Sequence, residues 1–181
     1  MASPPLPRWP LLLFALACQR GPPAPSALAA YATQVDSLLS HNRLLNHRFT
    51  CLAVALRQRT TEPEALAETL AGPILAEAAS LSSRLHTLAA PPAARDGHRR
   101  LTAAWEDRVT AYEDLHYAWR EGSPAEAEQA RRAITAYRHH EELALQQLNG
   151  VIATAGPRLS LAPVRDLPPC GPAPKKSGDS P

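Results

Sequence analysis

Seven histidines, three cysteines and seventeen carboxylates are the groups that could do chemistry in this 181-residue chain. Their spacing decides which chemistry is open to them. Glu113-Asp114-Leu115-His116 sets a carboxylate and an imidazole three residues apart, neighbours on one helix face. Ferritin-like bundles use that pair twice, with two further helix-borne Glu, to surround two metal ions. Here it occurs once, and it reads as a solvated helix face. Cys18, Cys51 and Cys170 are far apart, with no nearby partner at zinc-ligand spacing. Phosphate loops, G-x-S-x-G elbows, H-E-x-x-H pairs and haem-attachment motifs are absent from the sequence. No nucleophile–base pair is visible, so the chain is read as non-enzymatic, with no metal and no cofactor assigned.

A second constellation emerges from the elements that would carry it. Leu28, Tyr31, Val35, Leu38, Asn42, Leu45, Phe49, Leu52 and Leu56 alternate steps of 3 and 4, the seam of a helix packed on other helices. Ser26 suits its N-cap. Thr61-Glu62-Pro63-Glu64 has capping-box spacing and opens a second helix through Leu66, Leu70, Ile74, Leu81, Leu85 and Leu88. Gly72-Pro73 predicts a kink in it. A third helix starts between Pro92 and His98, with Asp96 a possible cap, and carries Leu101, Trp105, Tyr112 and Trp119, with Val109 and Leu115 beside them. Large residues at that spacing read as core. Gly122 ends it, and Ser123-Pro124-Ala125-Glu126 is a second capping box. The fourth stripe is Ala130, Ile134, Tyr137, Glu141, Ala144, Leu148 and Ile152, stopping at Gly156-Pro157 or sooner at Asn149-Gly150.

Three short connections make sequential neighbours antiparallel, so the expected fold is an all-α, up-down-up-down four-helix bundle over residues 26–156. Counting back from the turns brings Asn42 and Glu141 to one level, with His41 and His140 within about one turn of it. One reading is a metal or small-ligand site built from His41, Asn42, His140 and Glu141. The other is a register-fixing polar layer.

Seven of the nineteen prolines lie in residues 1–25 and seven in residues 157–181. The amino end, residues 1–17, has Arg8, an apolar run from Trp9 to Ala17 and small residues at its close, the order of a secretory signal. The run is too short to span a bilayer. Leu13-Phe14-Ala15-Leu16-Ala17-Cys18 resembles the lipobox of bacterial lipoproteins. That resemblance implies cleavage before Cys18, acylation of its thiol, and anchoring in the cell envelope, with the outer membrane the expected site. The alternative is an ordinary cleaved signal and a secreted or periplasmic product. Residues 18–25 then serve as anchor and spacer, and residues 157–181 as a proline-rich tail. Loss of residues 1–17 leaves eighteen basic against seventeen acidic side chains. So near-neutral a chain has no electrostatic footprint for nucleic acid and little attraction to anionic headgroups.

Acylation of Cys18 would leave Cys51 and Cys170 in an oxidising compartment, where a disulfide persists. Cys51 lies about 24 residues up the first helix, or roughly 36 Å, and an extended tail could cover about 45–50 Å. The tail is therefore expected to run back along the bundle and be stapled to the first helix. Otherwise Cys51 is an inert core thiol. The chain is thus expected to be a non-enzymatic envelope lipoprotein, its bundle a protein-interaction or structural module for an envelope partner. The alternative is a metal- or small-ligand-binding bundle using the layer around Glu141.

Overall fold

The computed structural model describes residues 26–58, 61–153, 155–162, 167 and 169–170. It is all-helical, with four helices and no strand among those residues. Helix α1 spans Ala27–Gln58. Its buried positions Tyr31, Val35, Leu38, Asn42, Leu45, Phe49 and Leu52 keep the 3–4 spacing, and the Ala29 amide donates to the Ser26 hydroxyl at 3.1 Å, which caps its start.

Helix α2 is built from three stretches: Pro63–Thr69, a π-helical Leu70–Leu75 and Ala76–His86. The interruption at Gly72-Pro73 takes the form of this widened turn. Pro73 has no N–H to give, and a wider turn accommodates the missing bond while the helix continues. The expected capping box does not form. The N-cap is Glu62, extended at ψ 147°, with no side-chain bond, because Pro63 at the first position pushes the residue before it out of helical space.

A short 3₁₀ turn, Pro92–Ala94, leads into α3, Arg95–Arg120. Asp96 lies in the first turn of α3 rather than at its cap. Gly122 then takes φ 64° and the Ser123 amide donates to the Ala118 carbonyl at 2.9 Å. This six-to-one closure needs a left-handed residue that glycine supplies without strain. Helix α4, Pro124–Ile152, starts from Ser123, whose hydroxyl makes no capping bond, and runs past Asn149-Gly150.

Cross-helix contacts set the levels. Tyr31 meets His98 at 3.2 Å, Phe49 stacks on Tyr112 with centroids 4.6 Å apart, and the Tyr112 and Tyr137 hydroxyls lie 3.0 Å apart. Arg48 of α1 pairs with Glu77 of α2, and the His116 imidazole donates to the Ala67 carbonyl at 3.1 Å.

Past α4 the chain is pinned back onto the helices. The Asn149 carboxamide accepts from the Leu159 amide at 2.8 Å and donates to its carbonyl at 2.9 Å, while Leu159 is buried in the core. Arg43 donates to the Ser160 carbonyl at 2.9 Å. Cys170 is bonded to Cys51, with Cα atoms 4.9 Å apart and a sequence separation of 119. In the chain-entropy picture a crosslink closing so long a loop contributes about 4–5 kcal/mol. Replacing both cysteines by serine should lower the denaturation midpoint accordingly, and thiol counting on denatured, unreduced protein should find neither sulfur free.

The return of the chain also demands one close approach. A Cβ on Gly156 would lie 2.6 Å from Cβ of the fully buried Ala32. Gly150 sits in α4 with nothing within 4 Å of such an atom. Gly156→Ala should therefore cost about 1–3 kcal/mol by overpacking, whereas Gly150→Ala should gain about 0.5–1 kcal/mol from helix propensity. Opposite shifts of melting temperature in the two variants are the expected outcome.

Candidate functional site

Four side chains from three helices meet in one buried layer. Asn42 comes from α1, Trp105 and Arg108 from α3, and Glu141 from α4, and all are at most 1% exposed. The Asn42 amide donates to Glu141 Oε1 at 2.7 Å, and the Trp105 indole N–H donates to the same oxygen at 2.6 Å. Arg108 donates through Nη1 to Asn42 Oδ1, and its guanidinium carbon lies 4.9 Å from the centre of the Trp105 ring. The Asn42 carboxamide thus stands between cation and carboxyl, with its oxygen toward one and its nitrogen toward the other.

Burial pushes the Glu141 carboxyl above its ordinary value of 4.5. The Arg108 charge and the hydrogen bonds from Trp105 and Asn42 pull it down, but desolvation outweighs them. Two donors, Arg108 Nε and Nη2, are buried with no hydrogen-bond partner among the described residues.

Of the residues singled out from sequence, the structure brings Asn42 and Glu141 together and sets the two histidines outside the layer. His41 is exposed and donates from Nδ1 to the Ser37 carbonyl at 2.9 Å. His140 is exposed with Nδ1 3.7 Å from an Asp107 carboxylate oxygen. Neither imidazole is bonded to Glu141. Glu113 is exposed, and its companion His116 is engaged by the Ala67 carbonyl, so that pair does not converge on a shared point.

Two participants were missed. Arg108 occupies the seam of α3, one step of three after Trp105 and one of four before Tyr112. Its spacing was the available signal. His47 lies one turn before Cys51, with Nε2 3.6 Å from Sγ, so Cys51 does have a ligand-type neighbour. His47, Cys51 and Cys170 have their donor atoms within 4.8 Å of one another. With the sulfurs bonded to each other, neither is the thiolate that binds a metal. Cys18 lies outside the described residues.

No known protein family, curated protein or solved structure matches this chain.

The layer makes a pH-dependent prediction. A carboxyl whose pKa is raised by folding holds its proton more tightly in the native state. Its favourable contribution is fully present below about 4.5 and is lost as pH climbs through the raised native value. Glu141→Gln keeps an acceptor for Asn42 and Trp105 but cannot ionise. Its melting temperature should therefore gain on the parent's as pH rises from 4 to 8. Glu141→Leu should lose about 1–3 kcal/mol for each of the two buried N–H donors, of Asn42 and Trp105, that it strands. Thermal melts across that pH range read both effects.

Proposed function

We propose that this chain is a non-enzymatic cell-envelope lipoprotein whose helical bundle serves as a protein-interaction or structural module. What carries the reading is the layer: Glu141, Asn42 and Trp105 spend their hydrogen bonds on one another in the interior, an arrangement suited to holding register rather than to turning over a substrate. The bundle is read as up-down-up-down and antiparallel. The short links between α1, α2, α3 and α4 and the pairing of levels across them, Tyr31 with His98 and Tyr112 with Tyr137, support that topology.

Attachment falls to Cys18 and the lipobox-like run before it. Among the described residues no helix is long and apolar enough to cross a membrane, and the acyl groups of a lipoprotein supply a stable anchor without one. An envelope partner would meet a mostly polar surface on which, among the described residues, Tyr117 and Leu143 are the large exposed apolar side chains.

A second reading, a metal- or small-ligand-binding layer, draws on the two unpartnered Arg108 donors. Donors of that kind suit water or a small oxyanion. A bound cation would face the guanidinium charge. Native mass spectrometry of the mature protein should show the mass of the lipidated chain alone. A stoichiometric retained anion or metal would favour the second reading instead.

Cys18→Ser tests the anchor. The substitution should abolish acylation and move the protein from the membrane fraction to the soluble one. Unchanged membrane partition would show that the lipobox reading is wrong.

A further inference from the structure

Between α1, α3 and α4, above the level of Tyr112, the helices part around a cavity of about 630 Å³, within the range of about 300–1,000 Å³ usual for small-molecule sites. Small side chains open it. Ala53 of α1 and Thr135 of α4 line it where larger side chains would fill the space. The floor is apolar, made by Phe49, Leu56, Leu115, Trp119 and Ile134. Phe49 is held from below by its stack on Tyr112.

The charged groups around this floor are all of one sign. Arg57 comes from the last turn of α1, Arg131 and Arg138 come from α4, and among the described residues no carboxylate lines the cavity. Arg131 shares its charge with Glu128 at 2.9 Å. Arg57 and Arg138 form no ion pair among the described residues. A guanidinium presents a planar fork of donors that matches a carboxylate. An apolar floor with such a rim selects a ligand that has both an oily body and a negative head.

We propose that this cavity binds a single-chain anionic amphiphile of the fatty-acid class, with the acyl chain on the floor between Phe49 and Trp119 and the carboxylate at Arg57 and Arg138. The chain's own carboxyl-terminal segment is a poor occupant. Beyond Cys170 it brings two cations, Lys175 and Lys176, and no large apolar side chain, so it matches neither the arginine rim nor the apolar floor. The site stands whether or not Cys18 is acylated, because an acyl group bonded covalently to Cys18 carries no anionic head.

Trp119 lines the cavity, so its emission reports occupancy. Dodecanoate, dodecanol and dodecylammonium, each below its micellar concentration, should be titrated into the mature full chain. Dodecanoate should give a saturable change with an affinity at least tenfold better than dodecanol, and dodecylammonium should give none. Trp119→Phe should remove the optical signal while calorimetry still detects the binding. Arg57 and Arg138 are exposed, and glutamine keeps an N–H donor for the Tyr137 hydroxyl that Arg138 faces, so the double variant Arg57→Gln/Arg138→Gln should fold, as its thermal melt would show. It should lose at least tenfold in dodecanoate affinity with dodecanol unchanged. Ala53→Trp should fill the cavity and abolish binding. Equal binding of the three amphiphiles, an unaltered affinity in the double arginine variant, or no saturable binding of dodecanoate would each overturn the proposal.

Discussion

Burying a guanidinium and a carboxyl in the same layer would ordinarily bring them into direct contact, since each alone is costly to desolvate. Here Arg108 and Glu141 form no ion pair, and the carboxamide of Asn42 spans them with its oxygen toward the cation and its nitrogen toward the acid. That bridge is the constraint on which the helices' relative positions depend. It joins α1, α3 and α4 at a single level, because a slip of one helix by a turn, about 5.4 Å, would leave at least two buried polar groups without partners. The Trp105 ring closes the arrangement from both ends, its N–H on the carboxyl oxygen and its face beneath the guanidinium. Hydrophobic stripes alone tolerate such slips far better, because leucine contacts are not directional.

With the level fixed at Asn42, the two directions along the bundle are built differently. Toward the amino end of α1, small residues let the backbone approach closely: Gly156 packs on Ala32, and the clamp of Asn149 on Leu159 turns the chain back. The returning segment is held at Ser160 by Arg43 and at Cys170 by Cys51. Those two anchor points on α1 are about 12 Å apart at 1.5 Å per residue. Ten residues of tail cover that span with chain to spare, so the bond imposes no stretching. Toward the other end, Phe49 stacked on Tyr112 and Tyr137 set edge-on against it fill the interior up to the cavity.

The parts of this fold that could be read from sequence are those governed by periodicity. The run Tyr31, Val35, Leu38, Asn42, Leu45, Phe49, Leu52 keeps its heptad steps and is buried as such. Because the links are short, counting from them brought Asn42 and Glu141 to one height. Side-chain bonds at helix starts were not legible. Thr61 and Ser123 have capping-box spacing, yet the structure has neither hydroxyl capping its helix, since the prolines at Pro63 and Pro124 already supply the helical φ and spare one donor. Arg108 was overlooked for a different reason. The next residue, Val109, is apolar and competes for the stripe, although Leu101, Trp105, Arg108, Tyr112, Leu115 and Trp119 is the series with unbroken steps of 3 and 4. A charged residue in an otherwise apolar seam marks a buried network, and its counterpart Glu141 carried the same mark. His41 and His140 adjoin those seam residues in sequence, but neighbours one position apart on a helix point about 100° away from each other, which is why both face outward.

An anchor at Cys18 would give these two ends unequal roles. The eight residues from Cys18 to Pro25 include three prolines and would then serve as a short spacer, so the amino end of α1 would stand close to the lipid surface, together with the Asn149 clamp and the packed Gly156 turn. Phe49 lies about 22 residues further along α1, roughly 33 Å up the helix. A bundle standing on that anchor would hold the arginine-rimmed cavity at its far end, beyond the Debye length of about 8 Å over which headgroup charge is felt at physiological ionic strength. The anionic ligand would then be drawn by the local field of the cavity's own arginines, Arg57, Arg131 and Arg138. The disulfide crosses α1 at Cys51, between the polar layer and Leu56, and so ties the tail to the stretch of helix that forms one wall of the cavity. That wall is thereby fixed from two directions, by the Asn42 bridge below and by the covalent bond beside it, while α4 opposite is positioned through α3.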